Sequence, residues 1–466
     1  MIPPKPTPRS GRVSLWRYWK MFRADLLSAQ PERLYGARMA EFRTPFFRSF
    51  LINEPELVRL VLTERPSDFP KSDRITRGLR PLLGRSVFVT NGEDWAHQRR
   101  IIDPAFERGR IRESFPAMLA AAEAAVDRVE EGPIDVEALA SHATADVIFR
   151  TLFSVAIDDD VAAETYAAFR AFQRTQPVAS LAALLPWLPV RHRKATRDAA
   201  ARLRALIEKL VSSRQAEIAL GTAPDDLASK IMSTPDPATG EVFSDVEMVD
   251  QVAIFFLAGH ETSAALLGWA LWLLAASPEW GARVAEEAEV FMAAPDVAHL
   301  SSMRATRNVL RETLRLYPPV PMMVREAARP ENLRKRSVPV GSQIVLSPWH
   351  LGRHTRIWSD PDAFDPDRWE AEDGRASARD GYLPFSAGQR VCPGAGFAMT
   401  EATILLAALM AVYRFEVMDM PVPVAHLTVR AADGIKLSVS RREGALPPTP
   451  VGRLPPSIYQ GDGGPF

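Results

Sequence analysis

Apolar positions recur three and four residues apart through most of the chain, and from Ile111 to about Leu220 they do so in alanine-rich runs. AMLAAAEAAVDRVE, EALASHATADVIFRTLF, AAETYAAFRAFQR and ATRDAAARLRALIEKLVSSRQAEI each carry one apolar stripe, which predicts successive amphipathic helices. Upstream the period shortens to two. YGARMAEFR and FFRSFLI read as strands of a hairpin turning at Thr44-Pro45, followed by a helix in EPELVRLVLTE. The stretch from Val252 to Ser277 is apolar on every side, so it predicts a helix covered all round. EWGARVAEEAEVFM and SSMRATRNVLRETLRL predict two more helices. Beyond Pro318 come short strands and loops, then a helix in GFAMTEATILLAALMAVY and a β-rich end in LTVRAADGIKLSVS. The pattern as a whole predicts a mostly α fold with a smaller β-rich part. With no repeat and no linker-like break, residues 35–443 read as one domain, preceded by a Pro-containing segment (1–34) and followed by a Pro/Gly-rich tail (444–466).

Composition narrows the classes. The chain has 466 residues, and its 47% apolar content is ample for a large core. With 57 basic against 57 acidic residues there is no field to attract nucleic acid. A single cysteine forbids an intrachain disulfide and fits a reducing cytosol. The start, MIPPKPTPRSGR, has prolines where a signal peptide needs an apolar run, so the expected location is cytoplasmic. Val252–Ser277 is long enough to cross a membrane, but His260 and Glu261 near its middle argue for a buried core helix. Only LAALLPWLPVRHRK, residues 181–194, has the composition of a membrane contact, and the favoured reading of it is a mobile lid over an apolar channel mouth.

The one cysteine, Cys392, lies in FSAGQRVCPGAG. Phe385, Gly388, Arg390, Cys392 and Gly394 occupy an F-x-x-G-x-R-x-C-x-G spacing that chance would produce in a chain this long with odds on the order of 10⁻⁴. A thiolate is basic and oxidisable, so it needs donors and positive charge nearby. The following helix would aim its N-terminal amides at the sulfur, and the glycines let the backbone approach it. The loop resembles the haem-thiolate loop of the cytochrome P-450 family. Further matches follow in that family's order: a W-x-x-x-R pair (Trp95, Arg99), AGHETS (Ala258 to Ser263), an E-x-x-R pair (Glu312, Arg315) followed by LYPPVP, Arg325 in MMVREA, and Arg368 in FDPDRW. Trp369 stands where phenylalanine is common in the family.

The resemblance implies haem b (iron protoporphyrin IX) clamped between the buried helix and the cysteine-loop helix, with Cys392 as the axial ligand of the iron. It implies propionate contacts from Trp95, Arg99, Arg325 and Arg390, a haem-contacting groove at Ala258, and a haem-side core locked by Glu312, Arg315 and Arg368. Thr262 would hydrogen-bond dioxygen and Glu261 would relay solvent protons; the alternative is that Thr262 bonds back to the Ala258 carbonyl and Glu261 points to solvent. Phe255, Phe256, Met322, Met323 and Val324 would line an apolar substrate pocket, with the loop Val87–Val89 and the turn near Ala432. Ala398 and Glu401 sit where the family's cysteine helix carries such residues. His97, off the Trp95–Arg99 face, reads as an exposed histidine. The implied activity is insertion of one atom of dioxygen into an apolar molecule, by hydroxylation or epoxidation. Electrons would come from a separate ferredoxin or flavodoxin type donor with an NAD(P)H reductase, docking on Arg99, Arg100, Arg108, Arg110 and Arg390. A peroxygenase or isomerase on the same fold, and a haem-based gas sensor, remain as alternatives.

Overall fold

The computed structural model describes residues 1–44, 47–175 and 192–444. Most of the segment 181–194 therefore lies outside the described residues, as does the tail from 445 onward. The element that organises the helical part is the central helix, Asp245–Ala275. It opens on a capping box in which Ser244 accepts from the Glu247 amide and the Glu247 carboxylate accepts from the Ser244 amide. The helices Val136–Phe153, Arg304–Leu316 and Ala395–Val412 pack around it, which is why its residues are apolar on every face and Leu267, Trp269 and Leu271 are fully buried. The central and cysteine helices are long and apolar enough to cross a membrane, but 78% and 72% of their apolar windows are covered by this packing.

The central helix is not regular. At Phe256–His260 it widens into one π turn, a feature that costs backbone hydrogen-bond geometry and concentrates at functional sites. Gly259 lies in that turn for a packing reason. A Cβ there would stand 2.5 Å from Cδ1 of Ile148, so any larger residue would require the Ile148 side chain on the helix Val136–Phe153 to move aside.

The β-rich part holds its own core. Met39–Arg43 and Arg48–Ile52 form the expected hairpin, Gln343–Leu346 adds parallel to the second strand, and Met323–Glu326 closes the sheet antiparallel. Its inner face packs Phe50, Ile52, Ile344 and Leu346 on Leu62, Phe69 and Leu351. Gly132–Asp135, Lys436–Arg441 and Tyr413–Val417 make a second, antiparallel sheet at the far end. Residues 1–34 are not loose. The Met1 carbonyl accepts from the Phe364 amide, Tyr317 donates its hydroxyl to the Pro4 carbonyl at 2.6 Å, and Lys5 pairs with Asp362.

A buried carboxylate ties the helix Arg304–Leu316 to the irregular stretch 352–369. Glu312 takes Arg315 in a bidentate pair (2.7 and 2.9 Å), Arg368 at 3.0 Å, the Asp365 amide at 3.0 Å and the Trp369 indole N–H at 3.2 Å. Arg315 spends its remaining protons on the carbonyls of Gly352, Pro361 and Ala363. Both partners are essentially inaccessible to solvent. Every charge is met, which is the condition under which a buried pair is tolerated. Removing the carboxylate would strand two guanidinium groups, so Glu312→Ala should lose about 3–5 kcal/mol in chemical denaturation. Trp369→Phe keeps the ring and deletes one N–H, and should lose about 1–2 kcal/mol in the same experiment.

Candidate active site

The cysteine loop is shaped by contacts that reach far along the chain. Gly388 has φ +66°, and a Cβ there would overlap the Leu62 carbonyl, so the loop lies directly on the π turn Leu60–Glu64. The Cys392 amide donates to the Phe385 carbonyl at 2.9 Å, which folds the loop back on itself. Gly394 is the N-cap of the helix Ala395–Val412, and its N–H donates to the Cys392 sulfur. The cysteine is exposed at its surface but set deep among protein atoms. Burial pushes its thiol above the usual range, while the Gly394 amide and the Arg99 charge pull it down.

Beside the loop lies a concentration of positive charge. Arg390, Arg99 and Lys71 stand 4.7, 5.8 and 5.9 Å from the centre of the Trp95 ring. Arg325, buried on its strand, bridges to Lys71 through the backbone and feels the charge of Arg390. Arg99 is paired with Asp103 at 2.6 Å and donates to the Val391 carbonyl next to the cysteine at 2.8 Å. Arg390 donates to the Asn91 side chain at 3.0 Å. Among the described residues no carboxylate pairs with Lys71, Arg325 or Arg390. Burial, and then repulsion from Arg390, lowers Arg325 to about 10; burial, then Arg390, Arg325 and Arg99, holds Lys71 well below its ordinary value. A cluster this poorly compensated calls for a dianion. The two propionates of haem b beside a lone accessible thiol satisfy that demand, so the residues fit the group. Lys71 was not legible in the sequence, since nothing around it in FPKSD marks a haem contact.

The remaining residues fall into three groups. Ala258 is exposed in the middle of an otherwise covered helix, and Thr262, one turn on, donates to its carbonyl at 2.5 Å. Phe255 meets Phe106 edge-on at 5.9 Å, and Phe106 in turn meets Phe397 of the cysteine helix, which links the central helix to the cysteine loop. Ser263 donates to buried Glu401 at 2.9 Å, a second link; burial raises that carboxyl to about 8. Val324 is half-buried, Met322 packs on the main core and Met323 on the core beneath the four-stranded sheet. Phe256, by contrast, is buried against Phe149 of Val136–Phe153, so its ring is turned into the helix interface rather than towards Ala258. Glu261 is buried and does not point to solvent: Thr428 donates to it at 2.8 Å and Arg430 pairs with it at 3.0 Å. Two surface expectations change as well. His97 is not an exposed histidine, since its Nδ1 lies 2.6 Å from Asp236, which is fully buried and also takes Arg100. Arg100 and Arg110 are thus engaged with Asp236, Glu93 and Asp225 rather than free.

A cysteine at a helix N-terminus, a basic cradle beside it and a buried helix opened by a π turn define a haem-thiolate oxygenase. The chain belongs to the cytochrome P450 family, whose model matches residues 5–439. It is 33% identical over 88% of its length to cyclooctat-9-en-7-ol 5-monooxygenase of Streptomyces melanosporofaciens, covering 87% of that protein. It is 30% identical over 91% of its length to pentalenene oxygenase of Streptomyces avermitilis, covering 94% of it, and 28% identical over 83% to a cytokinin hydroxylase of Arabidopsis thaliana, covering 77%. The protein is accordingly a monooxygenase that uses haem b, dioxygen, an apolar substrate and a redox partner. Replacing the thiolate tests the ligand directly: Cys392→His should abolish the strongly red-shifted carbonyl band of the reduced protein. Lys71→Met and Arg325→Met should each lower the haem-to-protein ratio after purification, while Phe88→Ala, at an exposed position, should not.

Proposed function

We propose that Thr262 and Glu261 carry protons to dioxygen in this enzyme, and that the substrate is a compact, terpenoid-like molecule with few polar groups. The observation that carries the first reading is the π turn at Phe256–His260, which sets the Ala258 carbonyl and the Thr262 hydroxyl at the widened point of the central helix. Haem bound on Cys392 supplies the oxidising chemistry. The chain's own task is to hold the substrate, exclude bulk water and meter protons. Thr262 can turn its hydroxyl from the Ala258 carbonyl to an oxygen acceptor, at the cost of one local hydrogen bond of about 1 kcal/mol. Glu261 lies one position before it, about 100° around the helix, on the side of Arg430.

For the substrate, support comes from Ala258, Phe255, Met322, Val324 and the partly buried Val87, all apolar, and from relatives named for pentalenene and cyclooctat-9-en-7-ol. Methionine at such a wall adapts to irregular shapes. Electrons come, in this reading, from a ferredoxin or flavodoxin type carrier with its NAD(P)H reductase, and the enzyme works in the cytoplasm. Of the basic residues expected at the docking face, Arg99 lies beside the cysteine, where it donates to the Val391 carbonyl while paired with Asp103.

Two measurements test this. In reconstituted turnover, Thr262→Ala should keep the substrate-induced spin shift but reduce product formed per NAD(P)H consumed several-fold, with peroxide rising to match; an unaltered ratio removes Thr262 from the proton path. A spin-shift screen should give hits among cyclic hydrocarbons and their alcohols and none among sugars or nucleotides.

A further inference from the structure

Behind the central helix, on the flank that carries Glu261 rather than Thr262, the structure encloses a polar cavity of about 90 Å³. Glu137, Ser141, Arg170, Glu261 and Arg430 supply its polar walls. At about 30 Å³ per water it has room for roughly three molecules. One oxygen of Glu261 is held by Thr428 and Arg430, whereas its other oxygen is buried without a protein partner. Arg170 donates to Ser141 at 3.1 Å, and Ser141 in turn lies 2.7 Å from Nε2 of His260. Glu137 is half-buried at the start of its helix, and Arg430, a third exposed, opens the same wall to solvent. The cavity therefore brings Glu137 and the solvent-facing Arg430 onto one wall with Glu261, whose unpartnered oxygen is itself closed to solvent in this arrangement.

We propose that this cavity is the chamber through which protons enter, with Glu137 taking a proton from solvent and passing it through water to Glu261. The inference rests on the reading of Glu261 and Thr262 as a proton path, and it adds the group that loads that path. The transfer is balanced: the Glu137 carboxylate gains a proton from hydronium and loses it to the chamber water, which protonates the Glu261 carboxylate. Burial pushes the Glu137 carboxyl up to about 7 and Asp135 adds to this, against Arg430, the Ala431 amide and Arg170. Asp135 itself is drawn towards Lys436 at 3.4 Å. A donor with its midpoint near working pH is half loaded and half ready to accept, which is where proton transfer is fastest. His260 does not compete, since burial, then Arg430 and Arg170, lowers its ring to about 3 and keeps it neutral. The sign follows: Glu137 carries its proton below about pH 7 and loses it above, so turnover that depends on it falls as pH rises through that value.

The test uses the reconstituted holoenzyme with a substrate found by the spin-shift screen. Infrared titration of the resting protein should show, in the difference between wild type and Glu137→Gln, one protonated carboxyl band that disappears near pH 7, while the band of buried Glu401 is common to both. Coupled turnover of the wild type should fall several-fold between about pH 6 and about pH 8, whereas Glu137→Gln should be slow and flat across that window with a larger solvent isotope effect. Glu137→Asp should restore the alkaline fall. The carbonyl band and substrate spin shift should be the same in all three. If Glu137→Gln keeps the wild-type pH profile and isotope effect while Thr262→Ala still uncouples, the chamber is overturned and the Thr262 reading stands. If Thr262→Ala and Glu261→Gln leave coupling unaltered, both are overturned.

Discussion

The Glu312 carboxylate is the point on which the rest of the structure hangs. Its five donors come from the helix Arg304–Leu316 and from the stretch 365–369, and through Arg315 it reaches the carbonyls of 352, 361 and 363. Those segments carry no long helix or strand of their own, so the carboxylate does for them what a backbone ladder does elsewhere. The helix Glu372–Gly381 connects them to the cysteine loop. A charge buried at this depth stabilises only as a complete set, which makes the region before Cys392 rigid in an all-or-none fashion. Trp369 belongs to that set, since its indole N–H occupies a lone pair that phenylalanine could not reach.

The basic cradle around Trp95 has the opposite character. Lys71, Arg325 and Arg390 repel one another in a partly buried space, and among the described residues that repulsion is offset through carbonyls and the Asn91 amide. One network is complete within the chain, whereas the other is left with a positive charge that two propionates would fit. The same fold can therefore be firm on the cysteine side and dependent on its cofactor at the cradle.

Much of this was legible in the sequence, and the reason is locality. The cysteine loop, the W-x-x-x-R and E-x-x-R pairs and AGHETS are each short enough to lie within one element or turn, so spacing together with the family resemblance singled them out. The helical pattern likewise fixed the fold class, because each stripe reports its own burial. What escaped depends on partners far along the chain. Lys71 matters because Arg325 lies across from it, His97 is half-buried and held because Asp236 arrives from a later loop, and Glu261 turns inward because Thr428 and Arg430 wait near the end of the chain. Phe256 was misjudged for a related reason: the π turn adds a residue to the helix there and rotates what precedes it, a phase change that no periodicity count anticipates.

The anchoring of the N-terminal residues has a consequence in time rather than in space. Lys5 meets Asp362, and Pro4 meets Tyr317, across separations of 357 and 313 residues. On a ribosome adding about 5–20 residues per second, the first residues would wait on the order of 20–70 s for their partners to be made. For that interval an apolar, proline-spaced leader is free to be bound by whatever else is present. The N-terminal strap thus closes only after the helices between have been made, and a nascent chain stalled before residue 362 would lack the Lys5–Asp362 latch however well its alanine-rich helices had formed.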